Sequence, residues 1–280
     1  MTATTSEMPD LEERSQKNQA FFNEADNQIW WLTVYLPVHG GWRFLNIGGR
    51  WALEQIGKQA GLTRESVVLE LCCGLGDTCC YLASHFKCRV TGIDLNRAQL
   101  AGARRNLRSR KSSLAGLVRF VEGDVLSWQP EFRFHLIFSM DSLMYVPNHR
   151  RLFEISHRAL MDHGTLALTE VLAGPQIDDS ARQFMLDQEG VVSLPTLEEQ
   201  HATLEEAGFS QIHSRNLTPL AIDCFETICG AMNQHKQKLV DLEGLESFNQ
   251  RVADNETYRD FFKNQTLFYF QTFARSKASH

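Results

Sequence analysis

The segment Val68-Leu-Glu-Leu-Cys-Cys-Gly-Leu-Gly76 decides the fold of this 280-residue chain. Its first part is an apolar run that is too short for a helix and ends at a glycine-containing turn, which is typical of a buried strand. Gly74 and Gly76 allow the backbone to approach a ligand closely, and Asp77 or Thr78 can cap a following helix. The segment therefore predicts a strand, a ligand-binding turn and a helix in succession.

Strand and helix patterns alternate after this turn, which indicates a doubly wound α/β sheet with parallel strands. Strands are predicted at 67–71, 89–93, 118–122, 136–139, 165–170, 211–217 and 267–274. Helices are predicted at 51–60, 77–86, 97–109, 150–160 and 197–207. An aromatic-rich N-terminal segment and an amphipathic helical insertion at about 221–263 remain to cover the strand ends, where such sheets bind ligands. We therefore expect a lid segment at 1–62 and a ligand-binding domain at 63–280.

Three acidic residues stand at successive strand ends. Glu70 leads into the glycine turn, Asp94 ends the second strand and Asp124 ends the third. Asp94 lies close to the offset of about 20 residues at which a carboxylate reaches ribose hydroxyls. Glu70 suits an ammonium group and Asp124 an adenine amino group, with Leu95 and Val125 flanking the ring. Each acid alone is as well explained as a helix cap, but three in register favour S-adenosylmethionine as cofactor.

The dinucleotide fingerprint fits this turn poorly. It requires a third glycine for close packing of the helix, and Cys79 occupies that position. Pyrophosphate also gains nothing from the carboxylate of Glu70. A nicotinamide-dependent oxidoreductase is therefore the less favoured enzyme.

The chain resembles the class I S-adenosylmethionine-dependent methyltransferases over about residues 66–170. The resemblance is carried by residues 70–76 (Glu-Leu-Cys-Cys-Gly-Leu-Gly), 92–94 (Gly-Ile-Asp), 122–124 (Glu-Gly-Asp), 134–141 (Phe-His-Leu-Ile-Phe-Ser-Met-Asp) and 159–165 (Ala-Leu-Met-Asp-His-Gly-Thr). It implies a Rossmann-like, doubly wound, mostly parallel seven-stranded sheet with an antiparallel last strand, plus helical lid elements. S-adenosyl-L-homocysteine would be the cofactor product. The cofactor-binding residues that it implies are Glu70, Cys72, Gly74, Gly76, Asp94, Leu95, Asp124, Val125, Ser139 and Met140.

The chain departs from the family pattern at two places. Cys72 replaces the first loop glycine, and Asp162-His163-Gly164 replaces the usual Pro-Gly-Gly turn before the fifth strand. These departures affect the loop conformation more than the expected cofactor. Because Cys72 stands in the loop, a second class of function remains an alternative: a noncatalytic scaffold with the methyltransferase fold.

A second, looser resemblance is to the small-molecule branch, which includes sarcosine/dimethylglycine, phosphoethanolamine and tocopherol methyltransferases. It is carried by residues 139–147 (Ser-Met-Asp-Ser-Leu-Met-Tyr-Val-Pro), the Gly48-Gly49 pair and the long insertion before the last strand. The resemblance implies a lidded pocket and an acceptor that is a small amine, glycine/sarcosine-like or phosphoethanolamine-like. Oxygen or carbon methylation of a phenol, quinol, prenyl or terpenoid compound is the alternative.

Methyl transfer needs alignment more than acid-base chemistry, because the sulfonium is already a strong electrophile. A phenol or alkene acceptor would also need a base, and the candidates are Glu170, Asp141 and His39. Tyr145 closely follows the fourth strand, so it is the aromatic residue that we most expect to line the pocket. We predict these four residues as the catalytic set.

Composition narrows the classes of function. The 28 Lys and Arg residues against 34 Asp and Glu give a formal charge of −6, which argues against nonspecific nucleic-acid binding. No stretch reaches the roughly 20 apolar residues of a membrane span, and the first residues do not follow the pattern of a secretory signal. Seven cysteines, an odd number without zinc-ligand spacing, predict reduced thiols and no metal. We expect a cytoplasmic protein acting on a small-molecule acceptor, and a homodimer stays open.

Overall fold

The computed structural model describes residues 46–110 and 116–277, together with Val34, Phe44 and Leu114. The strands are β1 (Val67–Leu71), β2 (Arg89–Asp94), β3 (Val118–Glu122), β4 (Phe134–Met140), β5 (Leu160–Ala173), β6 (Phe209–Asn216) and β7 (Leu267–Ser276). The helices are α1 (Gly49–Gln59), α2 (Asp77–Phe86), α3 (Arg97–Ser109), α4 (His149–Ala159), α5 (Asp179–Glu189), α6 (Leu197–Glu206), α7 (Thr218–Gln234), α8 (Lys236–Glu243) and α9 (Leu245–Lys263). A short 3-10 helix, Leu143–Tyr145, follows β4.

The strands of the described chain form one seven-stranded sheet in the order β3-β2-β1-β4-β5-β7-β6. The first five strands pair in parallel, and β7 runs antiparallel between β5 and β6. The predicted doubly wound sheet with an antiparallel last strand is therefore confirmed. Because β1 lies between β2 and β4, the chain crosses to opposite sides of β1. A doubly wound sheet binds its ligand beyond the carboxyl ends of the strands at such a switch point.

Apolar layers on both sides of the sheet hold it together. On one side, α1 and α2 bury Leu53, Ile56 and Leu82 in a cluster with Phe138 of β4. On the other side, α4 and α6 pack against β4 and β5 through residues such as Phe153. Burial between two close-packed apolar layers explains why short apolar runs in the sequence become central strands.

The structure differs from the predicted elements in two regions. β5 is longer than the predicted 165–170, because its register with β7 runs from Thr165 to Ala173 and supplies partners for its backbone. Helix α5 was not predicted, although Asp178 caps its start and Gly190, at φ +69°, ends it. The predicted insertion at 221–263 consists of α7, α8 and α9.

All seven cysteines are free thiols. Among the helices of the described residues, none combines the length and the apolar character needed to cross a bilayer.

Candidate functional site

The glycine turn between β1 and α2 has a left-handed backbone. Gly74 and Gly76 have φ values of +52° and +71°, and Cys72 has φ +54°. A Cβ on Gly74 would lie 2.6 Å from Oε1 of Gln99, and one on Gly76 would lie 2.3 Å from the Phe120 ring. The turn therefore needs both glycines, whereas Cys72 holds a conformation that costs an L-residue about 1–2 kcal/mol.

Asp94 at the end of β2 is fixed against this turn. Its Oδ2 accepts a hydrogen bond from the backbone N–H of Gly74 at 2.8 Å, and its Oδ1 accepts from that of Asn96 at 2.8 Å. Burial raises the pKa of Asp94, and the N–H groups of Asn96 and Gly74 oppose that rise. The carboxylate therefore stands at a fixed place on the cavity wall, with lone pairs left for a ligand.

Glu70 is buried beside the start of α2. The Thr78 hydroxyl donates to its Oε1, and the Cys79 thiol donates to its Oε2 at 2.8 Å. Burial raises the pKa of Glu70 to about 8, against the lowering effect of the Cys79 and Thr78 hydrogen bonds. Glu70 lines the cavity, but these two contacts tie β1 to α2, and its predicted contact with an ammonium group stays a prediction.

The predicted adenine pocket lines the same cavity. Asp124 accepts a hydrogen bond from the backbone N–H of Leu126 at 2.9 Å, which orients its carboxylate after β3. Leu95 and Val125 lie on the cavity wall with it, and Leu95 is 38% exposed. Carboxylate and apolar side chains thus stand together at the ends of β2 and β3, as the spacing predicts.

Of the predicted site residues near the end of β4, some line the cavity and others are buried in the core. Met140 and Asp141 line the cavity, whereas Ser139 lies in the core with no exposed surface and is not part of the cavity wall. Glu170 is also buried away from the wall, and its Oε2 accepts from the backbone N–H of Leu143 at 3.2 Å. Burial raises the pKa of Glu170 well above its usual value, and neighbouring Asp141 adds to the rise. In this structure Glu170 holds the turn after β4 rather than facing a substrate.

Asp141 connects the strand ends to the segment before α1. Its Oδ2 accepts from the backbone N–H of Ile47 at 2.6 Å, and the Tyr269 hydroxyl accepts from that of Gly48 at 2.9 Å. Burial raises the pKa of Asp141 to about 7, while hydrogen bonds from Ile47 and the Tyr269 hydroxyl lower it. Tyr269 lies in the predicted strand at 267–274, and nothing in the strand pattern reveals this role for its hydroxyl.

Tyr145 lines the cavity at the end of the 3-10 helix. Burial raises the pKa of its hydroxyl, and Glu189 adds to the rise, so the phenol stays protonated at neutral pH. His39, the fourth predicted catalytic residue, lies outside the described residues.

One cavity of about 730 Å³ joins the predicted residues that line it: Glu70, Cys72, Gly74, Gly76, Asp94, Leu95, Asp124, Val125, Met140, Asp141 and Tyr145. It begins at the glycine turn, passes Asp141 and Tyr145 and extends to a wall that the sequence did not predict, made by α5, α7 and α9. That wall is lined by Met185, Gln188, Glu189, Cys224, Phe225, Ile228, Glu246, Ser247, Gln250, Arg251, Asp254, Asn255, Tyr258 and Phe262. The helix-capping residues Asp178 and Gly190 are the signal that could have located α5, and hence Glu189, from the sequence.

No group of three or more His, Cys, Asp or Glu side chains is placed to hold a metal ion in the part of the chain that the structure describes.

Comparison with known proteins shows that part of the chain is similar to methyltransferases. Residues 68–164 match the family described as "Methyltransferase domain". A curated relative, the phosphoethanolamine N-methyltransferase of Plasmodium falciparum, is 24% identical over 222 residues, which are 78% of this chain and 80% of the relative.

Two solved structures extend the likeness to the fold of almost the whole chain. Phosphoethanolamine N-methyltransferase 2 of Haemonchus contortus, solved with phosphomonomethylethanolamine and S-adenosylhomocysteine, superposes with a TM-score of 0.80 at 21% identity. The match covers 97% of this chain and 61% of that one, so this chain spans about three fifths of its length. A putative sarcosine dimethylglycine methyltransferase from Galdieria sulphuraria gives a TM-score of 0.76 at 16% identity, covering 91% of this chain and 99% of that one.

Proposed function

The chain carries a class I S-adenosylmethionine-dependent methyltransferase domain, and from this premise we propose that it methylates a small metabolite at an amine nitrogen. The observation that carries the proposal is the continuous cavity, which joins the glycine turn to an acidic second half. Small-molecule sites of several hundred Å³ are typical of enzymes that bind a metabolite. One space of this size suits a cofactor and a small acceptor side by side.

The residues at the glycine turn fit S-adenosylmethionine, which when bound supplies a methyl group on an electrophilic sulfonium. Asp94 would accept hydrogen bonds from the ribose hydroxyls, because its carboxylate is already fixed by Gly74 and Asn96. Asp124, Leu95 and Val125 would surround the adenine. The left-handed turn leaves the space that a Cβ on Gly74 or Gly76 would take from its neighbours.

The chain's own contribution to the reaction is alignment and exclusion of water. Asp141 and Tyr269 fix the segment at Ile47 and Gly48 across the cavity, and Tyr145 stands beyond the end of β4. Holding a nucleophile in line with a reactive centre can contribute about 7–11 kcal/mol. An amine that reaches the site deprotonated needs no catalytic base, which agrees with the burial of Glu170 away from the cavity.

The charge of the second half favours an amine over a neutral acceptor. Glu189, Asp254 and Glu246 line it, and Arg251, which is the one Lys or Arg on the cavity wall among the described residues, pairs with Glu243 at 3.0 Å. A phenol, quinol or prenyl compound gains nothing from these carboxylates. The same acids would repel the phosphate of a phosphoethanolamine-like acceptor and, with less charge, the carboxylate of a glycine/sarcosine-like one, so a simple amine without an anionic group fits best.

We include the predicted division into a lid and a ligand-binding domain in this proposal. Helices α7, α8 and α9 would act as the substrate-side cover of the 63–280 domain, with residues 1–62 completing the lid. We also propose a cytoplasmic setting, in which the seven thiols stay reduced, and a protein that can work as a homodimer.

The test is transfer of isotopically labelled methyl from S-adenosylmethionine into two acceptor pools. One pool contains small amines and amino acids, and the other contains phenols, quinols and prenyl compounds. Mass analysis of a methylated amine would support the proposal. Label only in the second pool would overturn the amine acceptor, and tight binding of the cofactor with no product in either pool would indicate a noncatalytic scaffold.

A further inference from the structure

Glu189 lies at a position that is electrostatically unfavourable for a carboxylate. It is the last residue of α5, and the last turn of that helix holds no basic residue. The carboxyl end of a helix carries partial negative charge, so it disfavours an anion and favours a cation. A carboxylate at this end of α5, facing a cavity, therefore creates a region of strong negative potential.

Among the described residues, no positive charge compensates Glu189. No described Lys, Arg or His forms an ion pair with it, and the Arg251 guanidinium is held by Glu243 at 3.0 Å. Burial raises the pKa of Glu189, the hydroxyls of Tyr258 and Tyr145 lower it, and the charge of Asp254 raises it further. The one charged residue named in this balance is thus another acid, and the cavity beside Glu189 favours a cationic ligand.

Tyr258 supplies an independent observation. Its side chain is only 8% exposed and lines the cavity, and its hydroxyl makes no well-aligned hydrogen bond with any described residue. A phenol hydroxyl beside a carboxylate on a cavity wall is placed to contact a polar ligand group together with that carboxylate. The hydroxyl is close enough to the Glu189 carboxylate to act on it, which places both groups at one spot.

Aromatic faces complete the site. The Phe225 ring is stacked with the Tyr258 ring at a centroid distance of 5.6 Å and an interplanar angle of 17°. Both rings line the cavity together with Tyr145. Aromatic faces next to a carboxylate attract alkylated ammonium groups, which carry a diffuse positive charge.

We propose that Glu189, with the hydroxyls of Tyr145 and Tyr258 and the Phe225 ring, forms the subsite that binds the ammonium group of the methyl acceptor. The inference rests on the proposed function and deepens it, because it names the residues that select an amine. An ammonium must give up a proton before it can attack, and Glu189 is the carboxylate beside it that can accept that proton. The neutral amine then takes the methyl group, S-adenosylhomocysteine is the leaving group, and the methylated product is again a cation that this subsite can hold for another round.

The test uses a pair of ligands that share a shape and differ in charge: choline and its neutral carbon isostere 3,3-dimethylbutan-1-ol. Their affinities are measured by titration calorimetry on the full chain saturated with S-adenosylhomocysteine. We expect choline to bind at least about tenfold more tightly, as a desolvated charge contact would give. Glu189→Gln should remove most of this preference, and Tyr258→Phe should reduce it.

Asp187→Asn is the matched control, because Asp187 lies on the same helix as Glu189 but is exposed and outside the cavity wall. It should keep the preference for choline. Affinity for S-adenosylhomocysteine, measured on each variant, reports whether the fold and the cofactor half are intact.

The outcomes separate this inference from the proposed function. Equal binding of the two ligands to the wild-type chain, or a choline preference that survives Glu189→Gln, would overturn the subsite. Methylation of an amine by the Glu189→Gln variant with an unchanged KM would also overturn it while leaving the proposed function in place. Failure of the transfer assay in the amine pool would overturn the proposed function, whatever the ligand pair shows.

Discussion

Asp94 is the residue on which we expect cofactor binding to depend most directly. Its two oxygens already accept hydrogen bonds from the backbone of the glycine turn and of the α3 start, so the carboxylate is preorganised before a ligand arrives. A preorganised group loses little entropy on binding, and its contacts therefore contribute fully to affinity.

Asp94→Ala should weaken binding of S-adenosylhomocysteine about ten- to a hundredfold, because a pair of charge-assisted hydrogen bonds contributes roughly 1.5–3 kcal/mol. Titration calorimetry measures the effect. Glu122→Ala is the control, since Glu122 ends the neighbouring strand but pairs with Arg97 at the surface, outside the cavity wall. Equal affinities of Asp94→Ala and the wild-type chain would contradict the site.

Glu70 gives a prediction about pH. A carboxyl whose pKa is raised on folding, here to about 8, binds its proton more tightly in the folded state. Its stabilising contribution is therefore complete below about pH 4.5 and is lost as the pH rises toward 8. Relative to Glu70→Gln, the wild-type chain should lose at least about 1 kcal/mol of unfolding free energy between pH 5 and pH 8.

Urea unfolding of both proteins at several pH values checks this difference. Because only one titrating group distinguishes them, other carboxyls cancel in the comparison. Unfolding free energies that stay parallel across this range would show that Glu70 titrates normally.

At the scale of elements, the contact between β7 and the start of α1 is the least expected feature. Tyr269 of β7 accepts from the backbone of Gly48, and Asp141 at the end of β4 accepts from Ile47. One hydroxyl and one carboxylate thus attach the chain before α1 to two strands that are distant in sequence. This attachment closes one side of the cavity.

Tyr269→Phe should destabilise the protein by about 1–3 kcal/mol, because it leaves a buried N–H and a buried carboxylate without their hydroxyl partner. It should also speed hydrogen exchange at Ile47 and Gly48, detected by mass spectrometry. Tyr81→Phe is the control, since the Tyr81 hydroxyl donates to Glu54, which is partly exposed and can be hydrated instead. A loss of stability no larger than that of the control would argue against the attachment.

Elements of the sheet were predictable from sequence where local pattern and tertiary structure agree. β1, α2, α3 and β3 have the predicted bounds, because their apolar runs and caps are contained within the segments themselves. The full length of β5 was not predictable, since its last residues pair with β7 and its first residue, Leu160, pairs with Phe134 of β4, and both partners are distant in sequence. Helix α5 was missed because its apolar face is short and meets its partners, Tyr258 and Phe262, only after the chain has returned through α9.

In the site too, some residues were predictable from local sequence and others were not. The spacing of Glu70, Asp94 and Asp124 predicted that they lie at one edge of the sheet, and all three line the cavity there, because parallel strands place their carboxyl ends at one edge. Their contact with a cofactor stays a prediction. Glu170 was proposed as a base because the sequence cannot show toward which face a residue near a strand end points. Glu189 was not found, because its neighbourhood is assembled from three helices and the turn after β4.

At the scale of the whole molecule, the cavity is the feature that relates fold to function. The switch point of the sheet supplies one half, and the insertion between β6 and β7 supplies the other. The two halves have different chemistry: backbone amides and fixed acids suit a nucleoside, whereas a carboxylate with aromatic rings suits an amine. Methyl transfer therefore requires that the cofactor and the amine occupy this cavity together.

A crystal structure of the protein with S-adenosylhomocysteine and the amine identified in the transfer assay tests this claim most directly. We predict the ribose at Asp94, the adenine between Leu95 and Val125, and the amine nitrogen against Glu189 in the same cavity. An amine bound outside this cavity, or a nucleoside that does not contact Asp94, would contradict the account.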